Sequence, residues 1–344
     1  LILLSPMGQE ILSVIYNQSF HNALNRKEQI IPPIWLMRQA GRYHAHYQKL
    51  KEKYSFEELC LQPELSCEVT LGPIQDFDFD AAILFSDILF PLDFLGMGLT
   101  FNPGPQFHNH LEIKHLENIE IEHFNHFIKF QSESLNLIRS TLPKNKSLIG
   151  FVGGPITLYH FATRNHEKNN SLLNPFLIAM EKILTKNIDI QLETDLDLLM
   201  IFDTEANNLH DDDFKNKVIP FIKKQAQRHP NKIGYFTKNI SLNKYQCLKE
   251  IIGLRLTVLG SGYDILTELK NTELSLQGNF SNDLLALEDK DTFKSALVEF
   301  INYINDSNPK HRSGWIASLD HGVQKTTPEN NVRMFIDQIR TKLV

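Results

Sequence analysis

Cysteine is scarce in this 344-residue chain. There are three, Cys60, Cys67 and Cys247, and no CxxC pair. An odd, sparse count argues against a disulfide framework and fits a reducing compartment. Basic charge is not in excess either: the formal net charge is −6. No global pull toward nucleic acid or an anionic membrane follows, so an anionic substrate must be met by a local cluster of arginines. Neither GxGxxG nor GxxxxGKS/T follows any expected strand, which weakens a nucleotide-binding reading. Long apolar runs are missing. Residues 1–4 are apolar but far too few to span a bilayer, and no basic stretch precedes them, so no signal peptide is expected. The greasy stretch 81–101 is interrupted by Asp87, Pro91 and Asp93 and reads as a buried strand plus loop. A cytoplasmic protein without membrane or nucleic-acid partners is expected. No internal repeat or low-complexity linker divides the chain.

What is present is ordinary globular material, 42% hydrophobic and 22% charged, ample for a core. Short, continuously apolar runs lie at 34–38, 81–86, 147–153, 196–203, 232–237, 253–258, 274–278 and 314–319. Such runs suit parallel strands buried on both faces. Amphipathic stretches fill the gaps. Phe293, Ala296, Leu297, Phe300, Ile301 and Ile304 form one stripe at helical spacing, and Phe214, Val218, Phe221 and Ile222 another. Asp211, Asp212 and Asp213 suit a helix N-terminus, where acidic charge offsets the dipole. Pro328 suits the first turn of a final helix, with Thr327 as its cap. Strands alternating with helices point to the α/β class and a single (β/α)8 barrel over 1–344, with 1–30 as a peripheral N-terminal segment. An open doubly wound sheet is the alternative.

Barrel enzymes carry their chemistry at the C-terminal ends of the strands. The first run ends in Arg38, followed by Gln39, Ala40, Gly41 and Arg42. The second ends at Ser86 and Asp87, and the third at Gly153 and Gly154, leading to Phe161. The fourth ends in Asp203, Thr204 and Glu205, and the last runs into Asp320, His321 and Gly322. Two arginines, an aspartate and a histidine thus share one rim. Arginine forks bind carboxylates or phosphates. Without a glycine-rich phosphate cradle, carboxylates fit better.

These blocks carry a resemblance. Residues 33–43, PIWLMRQAGRY, and 81–89, AAILFSDIL, resemble two long signatures of the uroporphyrinogen decarboxylase family. Shorter blocks at 150–158, GFVGGPITL, and 276–279, LQGN, are similar to two more, in the same order. The resemblance implies a homodimeric barrel of haem biosynthesis. It also implies cofactor-free and metal-free decarboxylation of the four acetate side chains of uroporphyrinogen, giving coproporphyrinogen. By motif position, Arg38 and Arg42 would bind substrate carboxylates and Asp87 would face the pyrrole N–H groups. Phe161 stands where the family has tyrosine, Thr204 where it has serine, and His321 where it has histidine. The catalytic set implied is Asp87, Arg38 and His321. The substrate-binding set is Arg38, Gln39, Ala40, Gly41, Arg42, Asp87, Phe161, Thr204 and His321.

Plainer roles stand beside these. Asp87 suits a helix cap, Phe161 a pocket wall, and Gln39, Ala40 and Gly41 the shaping of a loop. The pairs His44–His46 and His108–His110 invite a metal, but fourteen histidines make such pairs ordinary. The sequence has no His-x-Cys of the kind that holds zinc in related barrel methyltransferases. Departures from the family pattern cluster near the site: residues 44–48, Asn207, Phe161, Asp320, and Arg255 where a strand-end aspartate is usual. Arg255 either compensates for lost polar groups or marks another anionic ligand. Two further functions therefore stand beside decarboxylation: a barrel paralog acting on another substrate, such as a methyltransferase, and a tetrapyrrole-binding barrel without turnover.

Overall fold

The computed structural model describes residues 14–102, 104–164 and 170–344; residues 1–4 lie outside the described residues. Seven strands form one parallel sheet in the order β1 (Ala81–Ile83), β4 (Ser147–Gly153), β5 (Leu198–Phe202), β6 (Ile233–Phe236), β7 (Leu254–Val258), β8 (Ser275–Phe280) and β9 (Trp315–Leu319). Strand neighbours in sequence are neighbours in space, the topology of a singly wound barrel rather than an open doubly wound sheet. Two short strands, β2 (Leu99–Phe101) and β3 (Pro105–Phe107), form an antiparallel hairpin outside it. That hairpin and a helix, Phe90–Phe94, occupy part of what reads in the sequence as loop.

The eighth place is filled differently from the expected strand at 34–38. Only Ile34 bridges, parallel to Ala317 of β9. Its carbonyl accepts from Asp80 N–H at 2.9 Å, just ahead of β1, and the Pro33 carbonyl accepts from Ala317 N–H at 3.0 Å. This segment therefore closes the gap between the last strand and the first. It cannot run on as a strand. Pro32 and Pro33 have no N–H to give a ladder, and Arg38 takes a left-handed turn at φ 61°. Gln39 stands in for the missing ladder: its Oε1 accepts from Leu36 N–H at 3.3 Å, and its Nε2 donates to the Ala81 carbonyl of β1 at 3.0 Å.

The floor of the barrel, at the N-terminal ends of the strands, is covered by the helix Gln18–Leu24, which buries Phe20, Ala23 and Leu24. Asn17 caps it through Phe20 N–H at 2.7 Å and also donates to Asp80 Oδ1 and the Asn145 carbonyl. Ser275 Oγ donates to the Ala23 carbonyl at 2.9 Å. The outer helices bury the expected stripes. Lys290–Asn305, capped by Asp289, buries Phe293, Leu297, Ile301 and Ile304. Asp211–Asp213 opens a helical stretch that passes through a π turn at Phe214–Val218 into Ile219–Arg228. The final helix, Glu329–Lys342, begins one residue later than expected. Its N-cap is Pro328, not Thr327, whose buried hydroxyl makes no hydrogen bond among the described residues. Among the described residues no helix is long and apolar enough to cross a membrane.

Candidate active site

Because all seven strands are parallel, every segment that follows one opens on the same mouth. Asp87 arrives after β1, Asp203 and Thr204 after β5, Lys238 after β6, and Asp320 and His321 after β9. Arg38 and Arg42 come from the closing segment. Arg38 lies directly against the last of these loops: a β-carbon on Gly322 would stand 2.7 Å from Arg38 Cδ. Its guanidinium is reached by water yet ringed by protein. That crowding, with Arg42 next to it, holds its pKa below the usual arginine value, while Asp87 pulls the other way.

Asp87 is half-buried at the rim. Its Oδ1 accepts from Leu89 N–H at 2.9 Å. Burial pushes its carboxyl up to about 6, against the opposing pull of the Leu89 amide and of Arg38. His321 is shifted the other way, down to about 4, by burial first and then by Arg38 and Lys238. Its Nδ1 accepts from Gly322 N–H at 2.6 Å. The imidazole is therefore neutral near pH 7, with its proton on Nε2 available as a donor. Below this polar rim, rings line the wall: Phe151 meets Phe202 at 5.6 Å, Phe202 meets Phe236 at 6.1 Å, and Phe236 meets His321 edge-on at 5.3 Å.

Electrostatic partnership thus joins Arg38, Arg42, Asp87 and His321 into one group. Phe161 and Thr204 make no hydrogen bond or ring contact to that group among the described residues. Phe161 sits on the helix Pro155–Thr163, its ring beneath the Arg164 guanidinium at 5.1 Å. Thr204 opens the turn Thr204–Asn208, and its carbonyl accepts from Thr237 Oγ1. Gln39 is 1% exposed and its side-chain amide closes the barrel. Tyr43 OH donates to its carbonyl at 2.7 Å. Ala40 and Gly41 are half-buried in the turn that carries Arg38 to Arg42.

Arg255 requires a correction. It is the second residue of β7, so it lies at the floor, where it donates to Asn25 Oδ1 at 2.6 Å beside Arg26. It neither compensates for lost groups at the mouth nor marks a ligand there. Asp320 accepts from Asn282 N–H at 2.8 Å and so ties the β8 and β9 loops together. His44 is buried against Asp76 at 2.7 Å, His46 Nε2 meets the Glu68 carbonyl, and His108 Nε2 meets Thr100 Oγ1.

Sequence reading passed over three features. The aromatic wall reads only as strand core. Asp203 reads in the sequence only as a strand-end residue, yet it is fully buried and pushed up to about 6. It accepts from Thr157 N–H at 2.7 Å and from Tyr235 OH at 3.5 Å, and it packs so closely that a β-carbon on Gly154 would stand 2.2 Å from its own. Lys238 carries no sequence signal beyond its place after a strand.

These parts define a class: a (β/α) barrel protein whose C-terminal mouth gathers cations around the half-buried Asp87 carboxylate over an aromatic wall. Comparison with known proteins narrows it. The family model described as Uroporphyrinogen decarboxylase (URO-D) matches residues 16–342. The chain is 31% identical over 341 residues to the uroporphyrinogen decarboxylase of Orientia tsutsugamushi, covering 92% of this chain and 96% of that one. It is likewise 31% identical to that of Legionella pneumophila strain Paris, covering 94% and 96%. The chain belongs to the uroporphyrinogen decarboxylase family. Among solved structures, a methyltransferase from Methanosarcina mazei superposes with a TM-score of 0.73 at 15% identity, over 94% of this chain and 98% of that one. At that identity the likeness concerns the fold alone.

Proposed function

We propose that this protein removes carbon dioxide from the four acetate side chains of uroporphyrinogen, leaving methyl groups and giving coproporphyrinogen, without metal or organic cofactor. The observation that carries it is Asp87: a half-buried carboxylate held by the Leu89 amide, beside Arg38, in the mouth of a barrel of this family.

The chemistry asks for little else. A proton added to the ring carbon next to the one that bears the acetate makes the ring cationic, with the charge shared by the acetate-bearing carbon. The pair of electrons from the bond to the carboxylate then flows into the ring and neutralises it as carbon dioxide leaves. A proton delivered to the exocyclic carbon, with loss of the ring proton, gives the methyl and restores the pyrrole. A fixed carboxylate beside the ring nitrogens stabilises the cation as it forms, and such preorganised charge is usually the largest catalytic contribution. Asp87 takes that role. Arg38 and Arg42 bind carboxylates at the ring edge, and His321 donates from Nε2 to another. Arg38 also takes the part of proton donor that the family resemblance implies. Phe161 and Thr204 form the adjoining wall.

The remaining parts of this reading rest on the family resemblance: a tetrapyrrole as the small-molecule partner, a homodimer, and the cytoplasm as its location. The test is anaerobic incubation of purified, exhaustively chelated protein with uroporphyrinogen, measuring released carbon dioxide. Release approaching four per ring supports the proposal. None, or release that depends on a bound metal, overturns it.

A further inference from the structure

Lys238 stands in the turn that follows β6. Around the barrel, the closing segment of Arg38 and Arg42 holds the place between β9 and β1. Counting on through β1, β4 and β5, β6 is the fourth position from it, and through β9, β8 and β7 it is again the fourth. Lys238 therefore rises from the wall opposite the two arginines. It is exposed and makes no ion pair among the described residues, and its charge bears on His321. Phe236, two residues before it, packs against the same imidazole at 5.3 Å.

An unpaired lysine is ordinary on a surface. The backbone beneath this one is not. Asn207 grips the turn at three points: its N–H donates to Thr237 Oγ1 at 3.0 Å, its Nδ2 donates to the Asn239 carbonyl at 2.7 Å, and its Oδ1 accepts from Ser241 N–H at 3.0 Å. Both neighbours of Lys238 are thereby fixed. Asn239 adopts φ 51°, a left-handed conformation that asparagine tolerates. Asn207 is itself anchored by Lys244 Nζ, which donates to its carbonyl at 2.6 Å and is 4% exposed. A rigid turn thus holds a cation over a mouth that already contains two arginines. Like charges gathered this way are relieved by an anion placed among them.

We propose that Lys238 is a further substrate-binding residue, its ammonium meeting a carboxylate on the ring edge opposite Arg38 and Arg42, with Asn207 as the positioning residue that holds the turn. This rests on the tetrapyrrole reading above. A ring bearing acetate and propionate groups on all sides presents carboxylates to both walls at once. The lysine then sets how the ring is centred over Asp87 and adds affinity rather than chemistry.

The test compares wild type, Lys238→Met, Lys238→Arg, Asn207→Gly and the Met/Gly double variant. Steady-state kinetics on uroporphyrinogen are read beside uroporphyrin binding by fluorescence quenching, with thermal melts to confirm folding. Lys238→Met is expected to raise both KM and Kd about tenfold, the scale of one charge-assisted contact, with kcat within about twofold. Lys238→Arg keeps both close to wild type. Asn207→Gly raises KM about threefold to fivefold, and the double variant is no weaker than Lys238→Met alone, because the two act as one unit. KM and Kd unchanged in Lys238→Met overturn the proposal, as does a fall in kcat alone. Additive losses in the double variant overturn the part given to Asn207. A wild type that binds uroporphyrin through Lys238 without turnover supports this inference and defeats the decarboxylase reading. A wild type that turns over while Lys238→Met is unaffected defeats this inference alone, and a wild type that neither binds nor turns over defeats both.

Discussion

Arg38 lies across Gly322. A β-carbon on that glycine would stand 2.7 Å from Arg38 Cδ and 2.9 Å from Cγ, the middle of the side chain rather than its mobile tip. With Arg38 also held at φ 61°, backbone and side chain are both fixed. Gly322→Ala therefore moves the guanidinium while leaving the core alone. The expected fall in kcat/KM is about tenfold or more, since misplacing a group by about 1 Å costs up to about 10²-fold. Steady-state decarboxylation beside a thermal melt checks it; full activity in a folded variant would show that Arg38 need not be placed here.

Asp87→Asn is expected to push activity and stability in opposite directions. The carboxyl titrates at about 6 in the fold, above its unfolded value. Such a group favours the folded state in acid and weighs against it as pH rises through about 6. Asparagine keeps the Leu89 contact and removes the charge. At pH 7.5 the variant should gain stability on the order of 1–2 kcal/mol, discounted for water at the rim. Its turnover should fall on the order of 10² or more. Urea unfolding and single-turnover kinetics measure the two; a variant that is both less stable and active contradicts the role.

The same carboxyl sets the pH profile. If ionised Asp87 is required, kcat/KM falls as pH drops through about 6. His321, held down to about 4, is neutral throughout that window. His321→Gln keeps a donor and should leave the acid limb where it is. Asp203 also sits at about 6, so Asp203→Asn is the control, expected to retain the limb. Loss of the limb in Asp203→Asn would assign it to the wrong aspartate.

Arg255→Asp should be silent in catalysis. The side chain is at the barrel floor beside Arg26, so kcat/KM should stay within about twofold. Exchanging a like-charge neighbour for an opposite one should stabilise the fold by roughly 0.5–1 kcal/mol, the scale of a partly exposed pair. A large change in KM would return Arg255 to the site.

Much of the fold was legible because buried parallel strands are apolar from end to end: Ser147–Gly153 is buried at every position. The segment at 34–38 misled for the same reason. It is as apolar as a strand, and only Pro33 and the turn at Arg38 betray that it closes the barrel by one bridge and a glutamine. The rim residues Arg38, Asp87 and His321 were legible because strand ends in such barrels converge. Arg255 was misplaced because the family pattern, which has a strand-end aspartate there, was followed; as the second residue of β7 it stands at the start of its strand. Lys238 and Asn207 were illegible because their partnership spans two loops that only the sheet order brings together.

The most direct measurement is the mass of the tetrapyrrole recovered after anaerobic incubation of uroporphyrinogen with wild type and with Asp87→Asn, side by side. The expected result is stepwise loss of carboxyl groups to the four-carboxylate product with wild type, and little or none with the variant. Recovery of intact substrate from folded wild-type protein, or equal conversion by both, would contradict a decarboxylase built around Asp87.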